Sequence, residues 1–319
     1  MRALPTVARD GSSARAAAGY GGQPVLHPAP WDRLVTWYFF SGGLSGAAYL
    51  IASVARGFGG ERARATARCG YLVSAIALLP APLLLVRDLG RPARFHHMLR
   101  TVKPLSPMNL GSWALAGFSA ASLAAGLRSL CNLDALPLPR RLRTVGRLVP
   151  EVAAVPGSMV ALFFSGYTGT LLAATAVPLW AETPLLGPLF MASSAATGTA
   201  AVEVALTLSG EDGEALVAVK TATLLGEAAL AALLLGRLSA TARRPLTSGG
   251  QRHAFLGGYV GAGLVAPLAL SLLPQRRHPA LRLAGAVATL AGGFCLRSAM
   301  VRGGAESARD PEAALATAG

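Results

Sequence analysis

Eight apolar stretches dominate the sequence after Pro30, most of them close to the length that crosses a hydrocarbon layer. They run roughly Leu34–Ala55, Gly70–Val86, Leu110–Leu130, Val152–Ala174, Leu185–Ser209, Ala215–Leu238, Ala254–Leu273 and Leu281–Val301. A bilayer core needs about 20 helical residues to span it, and inside it only helices or closed barrels satisfy every backbone N–H and C=O. These segments are apolar nearly all round rather than along one stripe, so lipid or protein faces them on every side. The fold class that follows is all-α, an integral membrane bundle of eight transmembrane helices. Pro80 and Pro82 predict a kink in the short second segment. Gly42 with Gly46, and Gly257 with Gly261, stand four apart and mark expected close helix crossings.

Composition narrows the function classes. Of 319 residues, 53% are hydrophobic and 14% charged, against about 45–50% and about 25% in soluble domains. The net charge of +14 comes almost entirely from Arg. These cations sit at the ends of the apolar runs, where lipid phosphates are their partners, instead of on one face as in a nucleic-acid binder. Cys69, Cys131 and Cys295 share no short spacing, so no metal or iron–sulfur ligand set is expected. None of His27, His96, His97, His253 and His278 is central in a segment, which argues against a bis-histidine haem. Residues 1–33 lack the apolar core of a signal peptide and predict a flexible tail. A membrane domain over 34–302 and a short C-terminal tail over 303–319 complete the expected organisation. Eight spans put both termini on one side, and a modest Lys/Arg excess favours the cytoplasm.

One loop stands out between the second and third segments: VRDLGRPARFHHMLRTVKPLSPMNLGSW, Val86 to Trp113. Asp88 can orient an arginine, and Gly90 and Pro92 bracket Arg91 in a tight turn. Arg91, Arg94, His96, His97 and Arg100 are donors near a membrane surface, and His can both give and take a proton near neutral pH. Lipid-phosphate binding is the plainer use of the same arginines. Trp113 is either a boundary anchor or a wall of a ring-shaped slot. Tyr167 either bonds a neighbouring helix or offers its hydroxyl to a bound carbonyl. Glu203, Lys220 and Glu227 fall inside the fifth and sixth segments. An ionisable group at that depth costs about 2.5–3.5 kcal/mol on insertion scales and normally faces a partner. Lys220 and Glu227 are two turns apart on one helix face, about 10 Å along the axis. Glu203 is expected to bridge them, either as a structural ion pair or as part of a proton path.

The loop's "DLGRPARF", "HML" and "PLSPMNLGSW" resemble the NrfD family of membrane subunits. Two further blocks do the same: "SGYTGTLLAATAVPLWAETPLLGPLFMASSAATGTAA" from Ser165 and "GGFCLRSAMVRGGAESARDP" from Gly292. The resemblance implies an eight-helix subunit of a respiratory oxidoreductase in the cell membrane, carrying no metal and exchanging electrons with menaquinone or ubiquinone. It implies a ferredoxin-like iron–sulfur partner, often with a molybdopterin catalytic subunit beyond it, and quinone chemistry near that docking surface. Asp88, Arg91, Arg94, His97, Trp113 and Tyr167 are then candidates for quinone binding or partner docking, and Glu203, Lys220 and Glu227 for a proton path. Whether the subunit is quinone-reactive or a non-catalytic anchor stays open. A multi-span transporter or channel without redox role is the alternative.

Overall fold

The computed structural model describes residues 26, 31, 33–88, 91–92, 95–131, 139, 141, 144, 154–273 and 278–316. Among them eight helices are long and apolar enough to cross a membrane: α1 (Arg33–Phe58), α2 (Arg64–Asp88), α3 (Pro107–Cys131), α4 (Val155–Ala173), α5 (Leu186–Leu208), α6 (Glu214–Arg237), α7 (His253–Ser271) and α8 (Pro279–Ser307). The expected all-α membrane bundle is the observed one. Most of the predicted N-terminal tail lies outside the described residues.

Where the helices depart from the apolar segments, the reasons are local. α2 starts at Arg64 because its polar first turns lie at the boundary, with Arg64 on Glu61 and Arg68 3.3 Å from Glu211. It breaks at Leu79 into Arg64–Leu78 and Pro80–Asp88, at the expected proline kink. Asp88 is therefore the last helical residue and not part of the loop. α8 runs six residues past Val301 and is followed by a short helix, Pro311–Ala316, within the short C-terminal tail. Trp180 holds that extension: its Nε1 donates to the Met300 carbonyl at 2.8 Å, and its ring fills the space where Gly304 lacks a side chain.

Contacts between loops divide the bundle into two faces. On the face where α1 begins, Trp31 stacks on Trp180 at 5.4 Å, and Glu182 accepts from the Ser239 backbone and hydroxyl at 2.8 Å each. Gly250 N donates to Glu306 there, and Arg244 meets Asp310 at 3.4 Å. The loop after α2 belongs to this face. On the opposite face, Glu211 meets Arg68 and Asp212 meets Arg282. Single cysteines at positions 181 and 209 should consequently react with an impermeant thiol reagent from opposite sides of sealed vesicles. Labelling of both from one side would remove α5 as a span.

Small residues set the crossings. Gly42 and Gly46 of α1 lie against Phe164 and the Ala161 carbonyl of α4, as their spacing predicts. Gly257 does not make the crossing expected of it, having nothing within 4 Å where a Cβ would be, and Gly261 meets only its own helix. His253–Val265 is a π-helix, and the face that it turns to α8 carries Gly258 and Gly263, against Cys295 and Gly292. Hydroxyls pin the first three spans: Ser45 donates to the Ser74 carbonyl, and the Ser74 and Ser122 hydroxyls are 2.8 Å apart.

Candidate functional site

The polar loop is a tied structure. Ser106 caps α3, its Oγ accepting from Asn109 N at 3.4 Å with Pro107 at the first helical position, a helix-start arrangement that satisfies an otherwise orphaned N–H. The Asn109 side chain then reaches back. Its Oδ1 accepts from Lys103 N at 2.6 Å, and its Nδ2 donates to the Met98 and Thr101 carbonyls at 2.8 and 2.9 Å. That fixes the short helix His97–Arg100 on the surface, where His97 is exposed and its ring stands perpendicular to that of His96, centroids 4.4 Å apart. Arg91 is exposed and Asp88 half-buried. Arg94 lies outside the described residues.

Tyr167 of α4 joins the same construction from below. Its hydroxyl donates to the Pro107 carbonyl at 2.6 Å, and its ring occupies the place a side chain would take at Gly111. The donor is thus committed to the start of α3, which is the helix-to-helix role; toward any bound carbonyl it competes with that bond. Trp113 is 41% exposed on the outside of the bundle and does not share the Tyr167 environment.

Ionisable side chains inside the bundle form two groups at different depths. Near the opposite face, Lys220 Nζ donates to Glu203 Oε2 at 2.5 Å, both side chains buried. Arg282 of α8 extends this group outward, 3.4 Å from Asp212 and 3.5 Å from the Thr207 hydroxyl. Glu227 does not join it. Seven residues on, about 10 Å deeper, it faces Ser193 of α5, Tyr259 of α7 and Arg297 of α8. The expected Glu203 bridge between Lys220 and Glu227 is absent: Glu203 sits level with Lys220, and the groups around Glu227 are Ser193, Tyr259 and Arg297.

Arg297 is completely buried. Its Nη1 donates to Ser193 Oγ (2.7 Å) and the Gly293 carbonyl (3.0 Å), its Nη2 to Ser194 Oγ (2.9 Å) and the Phe190 carbonyl (3.3 Å). The guanidinium carbon lies 5.2 Å from the Phe190 ring centre, within cation–π range. Glu203 Oε1, Tyr259 Oη, Arg282 Nε and Arg297 Nε are buried without a hydrogen-bond partner in the protein, so both groups keep unused polar capacity.

The sequence model of the family described as "Polysulphide reductase, NrfD" matches residues 24–306, which takes in α1 to α7 and all but the last residue of α8. The chain belongs to the NrfD family. It is also similar to the C subunit of polysulfide reductase from Wolinella succinogenes, at 26% identity over 290 residues, covering 84% of this chain and 92% of that subunit.

In this NrfD chain Glu203, Lys220 and Glu227 stand out in the sequence as buried charges, whereas Arg297, Arg282, Tyr259 and Asn109 were given no role there. Arg297 was discoverable by the rule that singled out Lys220, a cation deep inside an apolar run. Tyr259 and Asn109 carry no such signal, because their importance lies in what the fold brings beside them. Among the described residues no three His, Cys, Asp or Glu converge as a metal site, and His253 and His278 stand at the start of α7 and just before α8.

Proposed function

We propose that this NrfD chain is the membrane subunit of a multi-subunit redox complex, exchanging electrons between an extrinsic ferredoxin-like iron–sulfur subunit and quinone, menaquinone or ubiquinone, in the cell membrane. A molybdopterin subunit completes the proposed complex, and the chain itself binds no metal or covalent cofactor. The observation that carries the reading, beside family membership, is the tied loop at the start of α3. His97 and its neighbours form a donor-rich surface at the membrane boundary, held by Asn109 directly above Tyr167. Quinone chemistry moves two electrons and two protons, so it needs an apolar slot, donors at the carbonyl oxygens and a proton route. His97, Arg91, Arg94 and Asp88 supply the donors and the docking charges, and Trp113 contributes an aromatic surface at the boundary.

Glu203, Lys220 and Glu227, with Arg297 near Glu227, are the proton route in this reading. Protons crossing between the two buried groups need water over the intervening step of about 10 Å. Glu203 paired with Lys220 is one station of that route, and Glu227 beside Ser193 and Tyr259 is the other.

The complex purified from its native host should contain a cysteine-rich partner and turn over quinol. His97→Ala should lower electron transfer to quinone at least about tenfold with the subunit still inserted, within the range of a lost acid–base group. Glu203→Gln and Glu227→Gln should slow proton uptake with assembly intact. Normal turnover in His97→Ala and Arg94→Ala together would return the loop to lipid binding, and normal uptake in both glutamine variants would make the buried carboxylates structural.

A further inference from the structure

A second polar feature on the face where α1 begins takes no part in that reading. Arg33, Thr36 and Trp37 of α1 and Phe294, Ser298 and Arg302 of α8 enclose a cleft of about 290 Å³. The positions follow i, i+3, i+4 on one helix and i, i+4, i+8 on the other, so each set lines a single helix face. The floor is aromatic: Trp37 lies 4.5 Å from Phe294, and Phe40 is edge-on to Phe294 at 5.7 Å. Both arginines are exposed, and neither is ion-paired with a described acid. Their level is that of the membrane surface, because Arg33 opens α1 and Arg302 lies five residues before the end of α8. Trp37, 49% exposed, faces outward from the bundle.

We propose that this cleft binds the phosphodiester headgroup of an anionic membrane phospholipid. Two guanidinium forks from different helices converge on one small opening, and such forks match phosphate geometry. Ser298 adds a hydroxyl donor to the same space. The aromatic floor suits the glycerol and the first acyl carbons, which a free anion would not use, and basic clefts between spans at the headgroup level recognise lipid in this way. The bound lipid clamps the first helix to the last. The cleft shares no residue with the Tyr167 loop, so this site stands or falls separately from quinone exchange.

The test is native mass spectrometry of the full chain, released from micelles containing equal phosphatidylglycerol and phosphatidylcholine. Phosphatidylglycerol should be retained preferentially, and excess inorganic phosphate should not displace it. Arg33→Gln with Arg302→Gln should weaken retention roughly twenty-five-fold, the effect of two surface cations on an anionic headgroup. Ser298→Phe, which fills the cleft and leaves both charges, should also release the lipid. Equal retention of the two lipids by the wild-type chain, displacement by phosphate alone, or full retention in Ser298→Phe would each overturn the proposal. The wild-type competition and the Ser298 variant decide it even where the double glutamine chain does not fold.

Discussion

Arg297→Ala should lower the stability of the detergent-solubilised bundle by about 3–5 kcal/mol, because it leaves several buried acceptors unsatisfied at about 1–3 kcal/mol each. The change strands more than one group. Ser193, Ser194 and the carbonyls of Phe190 and Gly293 lose a donor, and Glu227 loses a nearby positive charge. Water cannot easily replace these bonds in a packed apolar surround. Adding Glu227→Gln to Arg297→Ala should therefore recover a measurable part of the loss, a coupling that a double-mutant cycle in thermal unfolding reads directly. Additive effects would mean that Arg297 acts only through α5, and the Glu227 contact would carry no energy. Arg297→Lys should behave more like alanine than like the wild type, because one ammonium cannot reproduce four bonds from two separated nitrogens.

The second large effect is expected from Gly292→Leu. Gly292 and Gly263 pack backbone to backbone, and a Cβ on either would overlap the other's main chain. Flexible side chains can move aside, but two helix axes cannot separate without opening the whole α7–α8 seam, including the Gly258–Cys295 contact. We expect a loss above the usual overpacking range of about 1–3 kcal/mol, read as failure to recover a monodisperse protein. Gly257→Ala on the same π-helix meets nothing within 4 Å and should stay within about 0.5 kcal/mol of the wild type. Equal behaviour of the two variants would argue against the π-helical register of α7.

These two sites also mark where the sequence was legible and where it was not. Length and uniform apolarity sufficed for eight spans, and Pro80 for the break in α2, because both depend on the chain's own backbone. The α1–α4 crossing was readable from Gly42 and Gly46 since four-residue spacing matches an α-helix. The same reasoning misplaced the contact on α7, because nothing local in "GGYVGAG" says which of its glycines turn toward α8. At the candidate site, Glu203 and Lys220 were legible as charges in lipid, but their partners were not. Whether Glu227 faces Lys220 along its own helix or Arg297 across the bundle is a question of how α5, α6 and α8 are arranged. Tyr167 was ambiguous on paper, and the Pro107 carbonyl supplies the interhelical partner.

The two buried charge groups have a consequence for how the protein is made. α5 and α6 follow each other in the sequence, so Lys220 meets Glu203 within one helical hairpin as soon as both have left the ribosome. Arg297 meets its partners only across the bundle: it lies ten residues from the end of α8, about 15 Å along the axis and beyond the reach of its own side chain to water. Three of its four hydrogen-bond acceptors, Ser193, Ser194 and the Phe190 carbonyl, belong to α5. α8 thus carries into the membrane a cation that only α5 can satisfy, so its insertion is favourable beside α5 and costly anywhere else in lipid.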